Sequence, residues 1–140
     1  MALDQVSKLL VARGMELESS RTLIPGLLDL TYIRNDGAAW GILSGRQTLL
    51  IVTTSIVILA IIVYVIKKGA ELSKLELAAL GLICGGGLGN LISRIGGGGV
   101  VDFLNIHIIP IFNVADIGVT VGCVLIIISL FASDNGKTGI

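Results

Sequence analysis

Three long apolar segments dominate the pattern of hydrophobic and polar positions along the chain. Residues 48–66 carry no charged side chain, and residues 75–92 and 112–131 are nearly as apolar. A helix of about 20 apolar residues crosses the ~30 Å hydrocarbon core of a bilayer. The pattern therefore predicts three membrane-spanning helices, although the first segment is rich in the β-branched residues that favour strands in water.

The connections between these segments differ in character. Residues 67–74 are short and contain three lysines, which is typical of a cytoplasmic loop. Residues 20–45 and 94–111 then lie on the outer side, although arginines there weaken the charge argument. Residues 20–45 combine glycines and a proline with alternating stretches, which predicts a small extracytoplasmic β-element on the membrane surface. The glycines of residues 96–99 are not followed by the Lys-Ser/Thr of a phosphate loop and are interpreted as a hinge.

Both ends of the chain are polar. Charged side chains are spread through residues 1–20, so no secretory signal peptide is expected there. Residues 1–19 are expected to hold the end of a helix and a linker. Residues 132–140 are expected to form a disordered cytoplasmic tail.

Composition supports a membrane protein and argues against several other classes. Hydrophobic residues make up 54% of the chain and charged residues 14%, and the mean hydropathy is +0.95. Basic and acidic residues balance at 10 each, which leaves no basic surface for nucleic acid. Cys84 and Cys123 lie within apolar runs and are interpreted as free thiols. His107 is the single histidine, and no metal or other cofactor is predicted.

Small residues recur at helical spacing in two of the apolar segments. Gly81, Gly85 and Gly89 follow one another every four residues, and Gly118 and Gly122 form a similar pair. Small side chains on one helix face allow a neighbouring backbone to approach closely in a membrane. Both sets are therefore predicted to line helix–helix contacts.

Two aspartates are the strongest candidates for chemistry. Asp102 follows the glycine run, and Asp116 lies near the start of the third apolar segment. An ionisable residue in a membrane segment is expensive and indicates a functional site. Two neighbouring carboxylates that share one proton can hydrolyse an amide, because the ionised one activates water and the protonated one polarises the carbonyl. The alternative is structural: Asp102 or Asn113 caps the last helix, and Asp116 pairs with an arginine.

Two further polar pairs have i, i+4 spacing. Asn90 and Arg94 share a helix face, where Arg94 binds a backbone carbonyl or an acidic group, or reaches towards lipid headgroups. Asp4 and Lys8 are interpreted as an exposed ion pair of little energetic value.

Four blocks of the sequence, in order, resemble the lipoprotein signal peptidase family, also called signal peptidase II. The resemblance covers residues 3 to about 130. The blocks are DQVSK at residues 4–8, NDGAAWG at 35–41, GGGLGNLISR at 85–94, and VVDF at 100–103 with FNVAD at 112–116.

The resemblance implies an α-helical polytopic membrane protein with four spanning helices in the family, cytoplasmic termini and an extracytoplasmic β-cradle. It implies an aspartic endopeptidase of the bacterial plasma membrane that cleaves diacylglyceryl-modified prolipoproteins before the lipidated cysteine, uses no metal and is inhibited by globomycin-type cyclic peptides. Asp102 and Asp116 would form the catalytic dyad. Substrate-binding or supporting roles would fall to Asn35, Asn90, Arg94, Asn113, Asp4 and Lys8.

The sequence departs from the family pattern in two places. It starts at Met1, where the family has an apolar helix before the DQ pair, so three spans are predicted for a single domain over residues 1–140, and the start is either misassigned or truncated. Ser93 stands where the family has aspartate. These departures keep one alternative open, a catalytically impaired relative that binds lipopeptide. A second alternative is a small helical channel or holin-like oligomer, in which the glycine stripes would line contacts between copies.

Overall fold

The computed structural model describes residues 1–37 and 43–135, with side-chain surroundings up to residue 132. A short 3₁₀ turn, Gly69–Glu71, joins the second and third helices. The main elements are α1 (Ala2–Gly14), β1 (Ser20–Ile24), β2 (Leu28–Asn35), α2 (Gln47–Lys68), α3 (Lys74–Ile95), β3 (Val100–Asn105) and α4 (Val114–Asn135).

Within the described residues, three helices are long and apolar enough to cross a membrane, as predicted. The most apolar stretches of α2, α3 and α4 have mean hydropathies of 3.0, 1.6 and 2.4. The helices are longer than the apolar segments that predicted them, and α4 continues to Asn135. The first residues of the expected tail, 132–135, are therefore helical, while residues 136–140 lie outside the described part of the chain.

The short connection between α2 and α3 is fixed by local polar contacts. Ser73 caps α3: its hydroxyl accepts from the backbone N–H of Glu76, whose carboxylate accepts in return from the backbone N–H of Ser73. This reciprocal pair satisfies two N–H groups that a helix start leaves free. Lys68 and Glu71 form an exposed ion pair beside it.

A three-stranded antiparallel sheet, ordered β1–β2–β3, lies beside the helices. β1 and β2 come from the segment predicted to be β-rich, but β3 was missed, since residues 100–105 form a short apolar run without clear alternation. β3 pairs with β2 so that Asp102 lies opposite Ile33. A small core forms where Val11 of α1 packs with Tyr32, Val101 and Phe103 of the sheet.

The glycine run between α3 and β3 forms a close connection to β2. Gly97, Gly98 and Gly99 all have φ of +79°, a conformation that favours glycine. A side chain at Gly99 would come within 2.8 Å of the carbonyl oxygen of Asn35, and Arg34 donates to the carbonyl of Gly98 at 3.2 Å. The segment interpreted as a hinge thus packs against the end of β2 and sets the position of β3 along it.

Helices α3 and α4 approach each other at glycines. A Cβ at Gly86 would overlap the carbonyl oxygen of Ala115, and one at Gly122 would lie 2.7 Å from the carbonyl oxygen of Ala79. Gly118 lies in van der Waals range of α3. The predicted role of the Gly118–Gly122 pair is therefore confirmed.

The stripe predicted on α3 has a different neighbour. Gly89 packs against the carboxylate of Asp4, and Gly85 lies near the backbone nitrogen of Met1, so both face α1. A Cβ at Gly81 would meet nothing within 4 Å. The prediction that all three glycines line a contact is wrong at Gly81, and the α3–α4 contact uses Gly86, which lies off the four-residue repeat.

We expect Gly86→Ala to destabilise the protein by about 1–3 kcal/mol, because the added methyl group must displace the backbone of α4. Thermal unfolding in detergent measures the change. Gly81→Ala is the matched control, since it adds the same group in open space. Equal melting temperatures for the two variants would contradict this account of α3–α4 packing.

Candidate active site

Asp102 and Asp116 lie on different elements and are both bound by Asn113. Asp102 is carried by β3 and is 3% exposed, and Asp116 lies in the first turn of α4. The side-chain nitrogen of Asn113, which is fully buried, donates to Asp102 Oδ1 at 2.6 Å. The backbone nitrogen of Asn113 donates to Asp116 Oδ2 at 3.0 Å. The structure therefore brings together the two acids that the sequence singled out.

The chain reversal after β3 places Asn113 beside Asp102. Phe112 pairs with Leu104 through backbone hydrogen bonds in both directions. Asn113 then begins α4, and its Oδ1 accepts from the backbone N–H of Asp116 at 3.1 Å. The structural alternative is thus correct for Asn113, which caps the last helix. The same side chain also binds Asp102.

Each carboxylate receives a second amide donor from another element. Asn90 of α3 donates its Nδ2 hydrogen to Asp116 Oδ1 at 2.8 Å. Asn35 of β2 donates its Nδ2 hydrogen to Asp102 Oδ2 at 2.9 Å. Among the residues that the structure describes, no arginine lies within ion-pairing distance of Asp116, so the predicted alternative of an Asp–Arg pair is wrong.

The surroundings of Asp102 favour its protonated form. Burial raises the pKa of Asp102 from 3.8 to about 6, and the neighbouring Asp116 carboxylate acts in the same direction. The hydrogen bonds from Asn35 and Asn113 and the charge of Lys8 oppose the rise. A carboxyl group that keeps its proton close to neutral pH beside a second carboxylate can donate a hydrogen bond or a proton to a substrate.

Asp4 and Lys8 form the base of the site and are buried. Their side chains are 1% and 5% exposed, and Lys8 Nζ lies 2.9 Å from Asp4 Oδ2. Lys8 also donates to Asn90 Oδ1 at 2.8 Å, and Asp4 Oδ1 accepts from the backbone N–H of Ala115 at 3.0 Å. The interpretation of an exposed pair is wrong. The glycine face of α3 allows α1 to approach closely, and the side of α1 that carries Asp4 and Lys8 therefore packs against α3 and α4.

Arg94 reaches the segment that follows β2. Its Nη2 donates to the carbonyl oxygen of Gly37 at 3.2 Å, as one interpretation predicted. Its Nε is buried and has no hydrogen-bond partner among residues 1–37 and 43–135. Ser93 directs its hydroxyl to the carbonyl of Gly89 within the same helix.

A cavity of about 540 Å³ lies next to the two acids. Its walls come from α2, α3, α4 and the loop before α4, and both Asp102 and Asp116 line it. Thr53 and Thr54 of α2 also line it, and they were not among the predicted site residues. The available signal was a short run of hydroxyl residues, Thr53 to Ser55, in a largely apolar helix, which is weak.

The remaining candidate residues lie away from this cavity. Cys84 and Cys123 are free thiols, as predicted. His107 lies beside Asp29 at 3.3 Å, at the loop end of the sheet. Within the described residues, no group of three or more histidine, cysteine or acidic side chains could hold a metal ion.

These features define a multi-pass helical membrane protein with a buried acidic site beside a small sheet. A family model described as signal peptidase (SPase) II matches residues 1–132. The lipoprotein signal peptidase of Staphylococcus aureus strain JH9 is 42% identical over 138 residues, which cover 96% of this chain and 84% of that protein. The chain belongs to the signal peptidase II family, a family of membrane proteases in lipoprotein processing.

Solved structures agree with this assignment. One structure, described as a bacterial membrane enzyme, has a TM-score of 0.92 and 40% identity, and the match covers 99% of this chain and 87% of that one. A second, described in the same words, has a TM-score of 0.83 and 41% identity, with 92% and 85% covered.

We expect Asp4→Ala to cost about 3–5 kcal/mol, because it leaves the buried Lys8 ammonium without its anion. It also leaves the N–H of Ala115 without an acceptor. Unfolding in detergent measures the loss. The control is Glu71→Ala, which breaks the exposed pair with Lys68 and should change stability little. A similar loss for both variants would contradict the buried role of Asp4.

Proposed function

We propose that the protein is an aspartic endopeptidase that removes signal peptides from diacylglyceryl-modified prolipoproteins, cutting just before the lipidated cysteine. The observation that carries this proposal is the pair of carboxylates held by Asn113, each with a second amide donor. Family membership supports the same substrate class. It also favours a peptidase over a channel.

The chemistry assigned to the pair is the activation of water. Two carboxyl groups that are bound by the same residue and act on each other's charge can share one proton, so that one remains ionised. The raised pKa of Asp102 supports it as the group that keeps the proton and polarises the scissile carbonyl. Asp116, with hydrogen-bond donors on both oxygens, then accepts a proton from the attacking water.

The supporting residues are assigned by their contacts. The two carboxylates are oriented by the amides of Asn35, Asn90 and Asn113. Lys8, which is paired with Asp4, donates to Asn90 and so supports it. Arg94 lines the cavity, and a guanidinium group there suits a peptide carbonyl of the substrate. A cyclic peptide inhibitor of the globomycin type would occupy the same cavity.

We place the site at the outer face of the bacterial plasma membrane. The lysine-rich connection of residues 67–74 precedes α3, whereas Asn90 and Arg94 lie near its other end. A helix of 22 residues is about 33 Å long, close to the thickness of the hydrocarbon core. If the lysines are cytoplasmic, the sheet and both acids are extracytoplasmic. Apolar cavity walls from the membrane helices suit a lipidated substrate.

Asp102→Asn and Asp116→Asn should each abolish cleavage of a diacylglyceryl-modified prolipoprotein by the purified protein in detergent, because an amide can neither share the proton nor activate water. Glu71→Gln, at the opposite end of α3, is the matched acid-to-amide control and should cleave like the parent protein. Product is measured by the mobility shift of the substrate.

The outcomes separate the proposal from its nearest rival. Cleavage by either aspartate variant at the parent rate would overturn the dyad. If the parent binds the lipidated substrate without cleaving it, and Ser93→Asp restores turnover, the chain is an impaired relative. The contact of Ser93 with Gly89, away from both acids, favours an active parent.

The pH dependence should report the proton on Asp102. Since the pKa of Asp102 is raised to about 6, the protonated form persists through weakly acidic pH and is lost as pH rises further. Asn35→Ala removes a donor that favours the ionised form. It should therefore raise the pKa of Asp102 and move the alkaline limb of the kcat/KM profile to higher pH, by roughly half a pH unit to one pH unit.

Asn105→Ala is the control for this measurement. Asn105 lies on the same sheet and bonds Thr31, so its loss should leave the limb in place. A downward shift in the Asn35 variant, or equal shifts in both, would contradict the assigned role of Asn35.

A further inference from the structure

Lys8 has an unusual position for a lysine in a membrane protein. It is 4% exposed, and its ammonium lies between Asp4 and Asn90. We propose that Lys8 is a positioning residue for the dyad: its ammonium fixes the direction of the Asn90 amide and, through it, the donor to Asp116. This inference rests on the proposed peptidase function.

The direction of the Asn90 amide is enforced from both ends. Its oxygen receives hydrogen bonds from Lys8 at 2.8 Å and from Asn113 Nδ2 at 3.1 Å, while its nitrogen faces Asp116. An ammonium group can only donate. Reversing the amide would therefore set its NH₂ against the ammonium and its oxygen against a carboxylate.

The same oxygen also helps to hold the other acid. Asn113 shares its NH₂ group between Asn90 Oδ1 and Asp102 Oδ1. With Asn90 held by Lys8, this NH₂ group stays in the plane between the two acceptors. A single cation thus influences the donors of both Asp102 and Asp116 without contacting either carboxylate.

Lys8 is not the only anchor of α1. Asp4 joins α1 to α4 through Oδ1 and the N–H of Ala115. Its other oxygen accepts from Gln5 Nε2 at 2.9 Å as well as from Lys8, and Gln5 also binds the carbonyl of Gly89. Lys8 lies 3.5 Å from the same carbonyl, so the contact that distinguishes Lys8 from these neighbours is the one with Asn90.

The charge of Lys8 has a second, measurable effect. The ionisable groups on which its charge acts are Asp4, in direct contact, and Asp102. Its positive charge lowers the pKa of Asp102 and opposes the rise caused by burial. Removing it makes the ionised form of Asp102 less favourable, so the limb of a pH profile that reports Asp102 moves to higher pH.

The test compares Lys8→Met with the parent protein on a quenched diacylglyceryl peptide. We expect kcat to fall about 10- to 100-fold, the effect of losing one charge-assisted hydrogen bond, with KM changed less than about threefold. The alkaline limb of the pH profile, which reports the proton on Asp102, should move to higher pH. Lys68→Met, which removes an exposed lysine at the far end of α2, is the matched control and should keep the parent kinetics. If Lys8→Met does not fold, the double variant Lys8→Met/Asp4→Asn takes its place in the test, because it removes both charges of the buried pair together.

A double-mutant cycle decides whether Lys8 acts through Asn90. In an Asn90→Leu background, Lys8→Met should lower kcat little further. Losses that multiply, or a Lys8 variant with parent kcat and pH profile, would overturn this inference. Parent-like cleavage by Asp102→Asn would instead overturn the peptidase proposal itself.

Discussion

The hydrogen bonds of the Asn113 side chain are the contacts on which the rest of the site depends. One amide donates to Asp102 on the sheet and to Asn90 on α3, and it accepts from the first turn of α4. Three consecutive elements, α3, β3 and α4, therefore meet at a side chain with no exposed surface. An aliphatic group of the same size would remove the donor to Asp102 Oδ1 and the acceptor of the Asp116 backbone N–H, each at a cost of about 1–3 kcal/mol. The amide thus orders the helix start and holds the acids together.

The small sheet allows non-helical backbone to carry Asp102 beside the spanning helices. Backbone in the hydrocarbon core must satisfy its own hydrogen bonds, so non-helical chain is confined to the membrane boundary or to protein-lined cavities. β3 obtains its partners from β2 and from Phe112, and it places Asp102 beside the first turn of α4. Asp116 is positioned by the first turn of α4. The pair forms where a strand meets a helix end, next to a cavity that opens beside the acids.

What could be predicted from the sequence followed from local patterns. Long apolar runs predicted α2, α3 and α4, and the polar residues within or between these runs pointed to Asp102, Asp116, Asn90 and Arg94. The burial of Asp4 and Lys8 could not be predicted in the same way. In a membrane protein the exposed side chains are themselves apolar, as with Ile56 at 61% and Ile66 at 78% exposure, so hydrophobicity no longer marks the inside. Which face of α1 is buried depends on Gly89, 81 residues after Lys8, and no local pattern carries that information. β3 was missed for a related reason, because its partner strand is more than 60 residues away.

Charge balance explains how so many ionisable groups can share a buried site. Asp4 and Lys8 neutralise each other in direct contact, at 2.9 Å. Arg94, which lines the same cavity, supplies a positive charge to the proposed dyad. Arg94 makes its hydrogen bond to the carbonyl of Gly37 and not to an acid, so its field acts on the pair without fixing either carboxylate in an ion pair. A direct Arg–Asp contact would strongly favour the ionised form of that acid, which would oppose the shared proton that the proposed mechanism needs. Three neutral amides orient the carboxylates without adding a charge, and such surroundings are compatible with a pair that holds one proton.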